Sequence, residues 1–116
     1  MSFGEAIVSV FSKYAEFSGR ARRSEYWYFV LFQILLSAAL TLAAYMVPAL
    51  AILGFIASLV LFIPSLAVEV RRLHDIGKSG WYVLIRLVPL VGDILLLIWL
   101  CREGTPNNNQ FGPSPK

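Results

Sequence analysis

The sequence predicts an all-α integral membrane protein: an N-terminal amphipathic interfacial helix followed by three transmembrane helices, with a kinked or re-entrant third segment as the alternative. Three observations carry the prediction. From Tyr26 to Val68 run 43 consecutive residues without Asp, Glu, Lys, Arg or His, and a spanning helix needs only about 20. Of 116 residues, 58% are hydrophobic and 15% charged, too little polar surface to cover the apolar mass in water. The net charge is +3, and the basic residues gather at the edges of the apolar segments. The positive-inside bias puts them there, so nucleic acid is not expected as a partner. The length fits one domain, residues 1–116.

The first element is read over residues 3–17. Phe3, Ile7, Val10, Phe11, Tyr14 and Phe17 fall on one face of a helix, and Glu5, Ser9, Ser12, Lys13 and Glu16 on the other. It is too short and too polar to span, so it is expected in the membrane interface or against the chain's own helices. Ser18 is a candidate N-cap and Gly19 a hinge. The first span is expected over 26–46, with Tyr26, Trp27 and Tyr28 as its interfacial aromatic belt. Pro48 marks a turn. The apolar stretch before "PALA" at 48–51 is too long for a cleaved signal and continues beyond it.

The second span is expected over 49–74, reaching past the bilayer edge as a polar extension. It contains Pro64, which membrane helices tolerate. Gly77 and Gly80 end it, and Ser79 caps the next helix. The third span is expected over 81–101, about 31 Å as a helix. It carries Arg86, which can snorkel to the interface, and Asp93, which costs on the order of 3 kcal/mol in lipid. Pro89 and Gly92 also permit a break, giving a re-entrant hairpin with "PLVGD" at its tip. Residues 102–116 read as a loop-like tail. The single cysteine, Cys101, excludes an intrachain disulfide and is expected as a buried thiol.

Lys and Arg number four in residues 1–25, three in 69–80, none in 46–50 and two after Cys101. The N-terminus and the 69–80 loop are therefore expected in the cytoplasm. The tail lies outside if the third segment spans, inside if it is a hairpin.

The stretches "FSGRARRSEYW", "RRLHDIGKSGW", "PLVG" and "EGTPNNNQFGPSP", in this order, resemble the bacterial inner-membrane family catalogued as domain of unknown function 805. The likeness covers nearly the whole chain. It implies an inner-membrane location and a multi-span helical unit, and no activity. The family's motif residues fall on Gly19, Arg20, Arg23, Glu25 and Trp27, and on Arg71, Arg72, Leu73, His74, Asp75, Ser79, Gly80 and Trp81. In the tail they fall on Gly104, Thr105, Asn109, Phe111, Gly112 and Pro113. Asp93 departs from the pattern, which favours an apolar or aromatic residue there.

"RRLHD" is the candidate site. Helical spacing lets Arg71 meet Asp75 and Glu69 meet Arg72, and Glu25 can reach Arg71 or Arg72 from the neighbouring span. One reading is a charge network fixing two helices at the cytoplasmic edge. A second is a headgroup site in which Arg20, Arg22, Arg23, Arg71, Arg72 and Lys78 converge on anionic lipid. Catalysis has little support. His74 and Asp75 point about 100° apart on a helix, and no nucleophile motif accompanies them. One histidine and one cysteine do not make a zinc site, and no cofactor is expected. The function expected is therefore non-enzymatic: an accessory, scaffolding or envelope-associated role with anionic-lipid contact. Partners would be lipids, a second copy of the chain or another membrane protein. The alternative is a subunit of an oligomeric transporter or channel, its path lined by Glu69, Arg86 and Asp93.

Overall fold

A computed structural model describes residues 2–104, 109–112 and 115. Its element order is α1 (Phe3–Ser12), α2 (Arg23–Met46), a 3-10 turn (Pro48–Leu50), α3 (Ala51–Asp75), a 3-10 helix (Gly80–Leu87) and α4 (Val91–Cys101). Among the described residues there is no strand.

A reciprocal capping box starts α1. Ser2 Oγ accepts from the Glu5 amide at 3.2 Å, and the Ser2 amide donates to Glu5 Oε1 at 3.2 Å. The helix buries Ala6 and Val10 and sets its aromatic face on α2. Phe3 meets Tyr28 edge-on at 5.8 Å, and Phe11 meets Phe29 at 5.8 Å. It ends at Ser12, five residues short of the expected Phe17, because the chain turns there to serve other elements. The Glu16 carbonyl accepts from Arg71 Nε, and the Tyr14 hydroxyl donates to the Val60 carbonyl. That carbonyl lies four residues before Pro64, which has no N–H to return. A tertiary contact thus repairs the ladder where proline breaks it.

Arg22, not Ser18, is the N-cap of α2, and the helix starts three residues earlier than expected. Gly19 supplies the bend, with φ of 86° that favours glycine. With 24 and 25 residues, α2 and α3 reach about 36 Å each, enough to cross a bilayer. They form a hairpin across the Pro48 turn, bridged midway by Gln33 Nε2 donating to Ser65 Oγ.

Two described helices are long and apolar enough to span, with mean hydropathies of 2.0 and 2.5 over their most apolar windows. Only 6% and 17% of those windows is buried. A soluble core helix would be mostly enclosed; here the apolar side chains point outward.

Residues 81–101 do not form one continuous helix. Residues 81–101 are divided into the 3-10 helix, capped by Ser79 Oγ on the Trp81 amide, and the 11-residue α4. The break falls at Pro89–Leu90, where Leu90 takes φ of 64°. The two arms lie antiparallel. Tyr82 near the start of the first meets Trp99 near the end of the second edge-on at 5.5 Å, and the Lys78 amine lies 4.8 Å from the Trp99 ring centre. Gly92 allows this approach, since a Cβ there would strike the Ile85 carbonyl. The segment thus takes the broken form that Pro89 and Gly92 permit, two short arms folded back on each other.

Candidate functional site

The interior buries charged residues beside a small apolar core. Its largest fully buried side chains are Arg71 and Arg72. They sit where the C-terminal end of α3 meets the start of α2, the end of α4, the 16–21 segment and the tail.

Arg71 Nη1 pairs with Glu25 Oε2 at 2.6 Å, joining α3 to α2. Ser9 Oγ donates to the other Glu25 oxygen at 3.1 Å, so α1 joins the same pair. The Arg71 carbonyl accepts from the Ala21 amide at 3.0 Å. One turn away, Asp75 takes two arginines: Arg20 through Nε at 3.0 Å and Arg72 through Nη1 at 2.8 Å. Three guanidiniums therefore face two carboxylates, and backbone carbonyls take up several of the remaining donors, while Arg71 Nη2 is buried without a hydrogen-bond partner among the described residues. Arg72 Nε donates to the Leu100 carbonyl at 3.2 Å, and its Nη2 reaches the Arg102 carbonyl. Trp27 Nε1 also donates to the Leu100 carbonyl, at 3.2 Å. These carbonyls close α4, where a helix has no amides left to offer and where its dipole favours cations.

The tail completes the cluster. Arg20 Nη1 donates to the Gly112 carbonyl at 3.2 Å, and Asn109 Nδ2 to the His74 carbonyl at 3.0 Å. The Phe111 ring stacks flat on His74 with centres 4.1 Å apart. His74 Nδ1 lies 2.9 Å from the Gly19 carbonyl, so the imidazole is engaged on its edge and covered on one face. A Cβ added at Gly104 would fall on the Asp75 carboxylate. Gly104→Ala is accordingly expected to lift the tail, costing about 1–3 kcal/mol by overpacking. Thermal denaturation in detergent, together with protease sensitivity of the tail, checks this; unchanged values would contradict it.

Several sequence-derived pairings are corrected. Asp75 pairs with Arg72 and Arg20, not with Arg71. Glu69 turns from Arg72 to Arg86, at 2.7 Å. Arg86 therefore reaches across to α3 rather than snorkelling, because Glu69 is buried and offers the charge that lipid lacks. The convergence of six basic residues on one headgroup plane does not occur. Arg20, Arg71 and Arg72 are 5%, 1% and 0% exposed and face inward. Arg22, Arg23 and Lys78 keep contact with the surface. Cys101 is exposed, not buried, since α4 turns its Leu96 and Leu100 inward instead. Asp93 is exposed in the first turn of α4, beside the helix interruption at Pro89–Leu90. Thr105 and Pro113 lie outside the described residues. Sequence reasoning missed the Ser9 hydroxyl and the carbonyls of Glu16, Leu100 and Arg102. The carbonyls left no signal in side-chain identity.

Comparison with known proteins identifies the family. A family model described as "Protein of unknown function (DUF805)" matches residues 14–113. The inner membrane protein YhaH of Escherichia coli K12 is 40% identical over 114 residues, covering 94% of both chains. The inner membrane protein YhaI of the same strain is 40% identical over 113 residues, covering 94% of this chain and 93% of the relative. No solved structure matches.

Proposed function

The chain belongs to the DUF805 family, and on that premise we propose that it is a small non-enzymatic module of the bacterial inner membrane. Its role is accessory or scaffolding, and its basic rim contacts anionic lipid. The observation that carries this reading is how Arg20, Arg71 and Arg72 are used. All three are buried on the chain's own carboxylates and carbonyls, as befits a clamp holding the helix ends. A substrate site would keep most such donors open, whereas here Arg71 Nη2 is the buried guanidinium nitrogen left without a partner among the described residues. Anionic lipid is left to Arg22, Arg23 and Lys78, at about 1 kcal/mol per basic side chain near the surface.

The hairpin form of residues 80–101 supports one topology. Two spans with a re-entrant third segment place residues 1–25, the 69–80 loop and the tail on one side. Nine Lys and Arg then face the cytoplasm and none lies in the Pro48 turn. In a Cys101→Ser background, single cysteines at Ser2, Lys78 and Gln110 are expected to resist a membrane-impermeant thiol reagent applied to whole cells. A cysteine at Pro48 should react. Outside labelling at Gln110 would return the third segment to a full span, and outside labelling at Ser2 or Lys78 would overturn the topology. Copurification from native membranes with lipid analysis tests the functional reading itself. A tightly bound small metabolite in place of lipid or a protein partner would refute it.

A further inference from the structure

A groove of about 640 Å³ runs down the outer face of α2, lined by Arg23, Ser24, Trp27, Tyr28, Leu31 and Cys101. Its walls are fixed from behind. The Trp27 indole is tied to the Leu100 carbonyl and packed edge-on against Tyr26 at 4.9 Å, and Tyr28 is held by Phe3. From Arg23 to Leu31 the groove descends eight residues, or about 12 Å of helix. Its chemistry changes along that line: a cation and a hydroxyl at the top, two aromatic rings in the middle, an aliphatic side chain below.

Arg23 differs from the clamp arginines. It is exposed, and its Nη1 makes a long 3.4 Å hydrogen bond to the Cys101 carbonyl. That contact holds the guanidinium beside Cys101, at the wall of the groove that both residues line. A planar fork with open donors matches a phosphate. Aromatic rings suit the glycerol level of a bilayer.

We propose that this groove holds one anionic glycerophospholipid, its phosphate on Arg23 and Ser24 and its upper acyl carbons against Leu31. The charge at the top selects an anion, and the apolar floor selects an amphiphile over a free phosphate. The proposal rests on the membrane reading above and names which part of the basic rim recognises lipid.

The groove carries its own reporter, since Cys101 lines it and is the only cysteine. The full chain is placed in phosphatidylcholine nanodiscs with or without phosphatidylglycerol, and alkylation of Cys101 is timed. Nanodiscs expose both faces, so an error in the assigned topology leaves this result unaffected. Phosphatidylglycerol is expected to slow alkylation of the parent by about fivefold, the effect of one basic side chain on an anionic headgroup. Arg22→Ala removes the same charge one residue outside the groove and should retain that protection. Arg23→Ala should lose it, and so should Leu31→Trp, which fills the floor without changing charge. Glycerol phosphate in solution should protect nothing. Equal loss in Arg22→Ala and Arg23→Ala would mean a diffuse collar and overturn the proposal. So would undiminished protection in both groove variants, or protection by glycerol phosphate alone.

Discussion

Asp75→Asn is expected to be among the most damaging single substitutions in this chain, costing about 3–5 kcal/mol of stability. The Asp75 side chain is 0% exposed and receives Arg20 and Arg72 on its two oxygens. Asparagine keeps the size but loses the charge. It also turns one acceptor into a donor that would point at a guanidinium. Two buried cations would then share a site with no carboxylate between them, and a buried charge without its partner is far costlier than the pair. The measurement is thermal denaturation of purified protein in detergent. Glu103→Gln removes a carboxylate from an exposed residue nearby and should leave the transition in place. Equal behaviour of the two variants would mean that Asp75 is not a structural anchor.

The same contact explains why the tail is part of the fold. Its composition reads as an unstructured loop, yet Gly104 lies against Asp75 and Asn109 caps the His74 carbonyl. Loop composition says that a segment makes no regular ladder. It does not say that the segment has no partner. Here the partners are the last turn of α3 and Arg20.

The long helices were legible in the sequence because a 43-residue uncharged run leaves few alternatives in water or lipid. The members of the polar cluster were legible for a related reason. Charged residues beside an apolar segment must find each other or the interface. Their pairing was not legible. On a helix, spacing permits Arg71 with Asp75 and Glu69 with Arg72 equally well, and neither pair forms. Arg71 is drawn to Glu25 on α2, Glu69 to Arg86 on the 3-10 helix, and Asp75 is shared by Arg72 and Arg20, the latter 55 positions earlier. Tertiary neighbours decide among local options of similar energy. The break in the third segment was foreshadowed by Pro89 and Gly92, but its left-handed residue is Leu90. Leucine seldom adopts that conformation, so nothing in its identity marked the place. The end of α1 at Ser12 was hidden in the same way. The apolar spacing continues to Phe17, and the chain leaves it to bring Glu16 to Arg71.

The central claim is that "RRLHD" is an internal clamp and not an open anion or catalytic site. The Glu25–Arg71 pair tests it most directly, because it joins the start of α2 to the end of α3 through side chains 2.6 Å apart. Each single change, Glu25→Gln or Arg71→Gln, strands a buried charge and is expected to cost about 3–5 kcal/mol. In the double variant neither charge remains, so the combined loss should fall short of the sum by roughly 1–3 kcal/mol. Denaturation of the four proteins in one detergent closes the cycle. A shortfall of that size is the result the clamp predicts. Losses that add to within about 0.5 kcal/mol, with each single variant close to the parent, would contradict it.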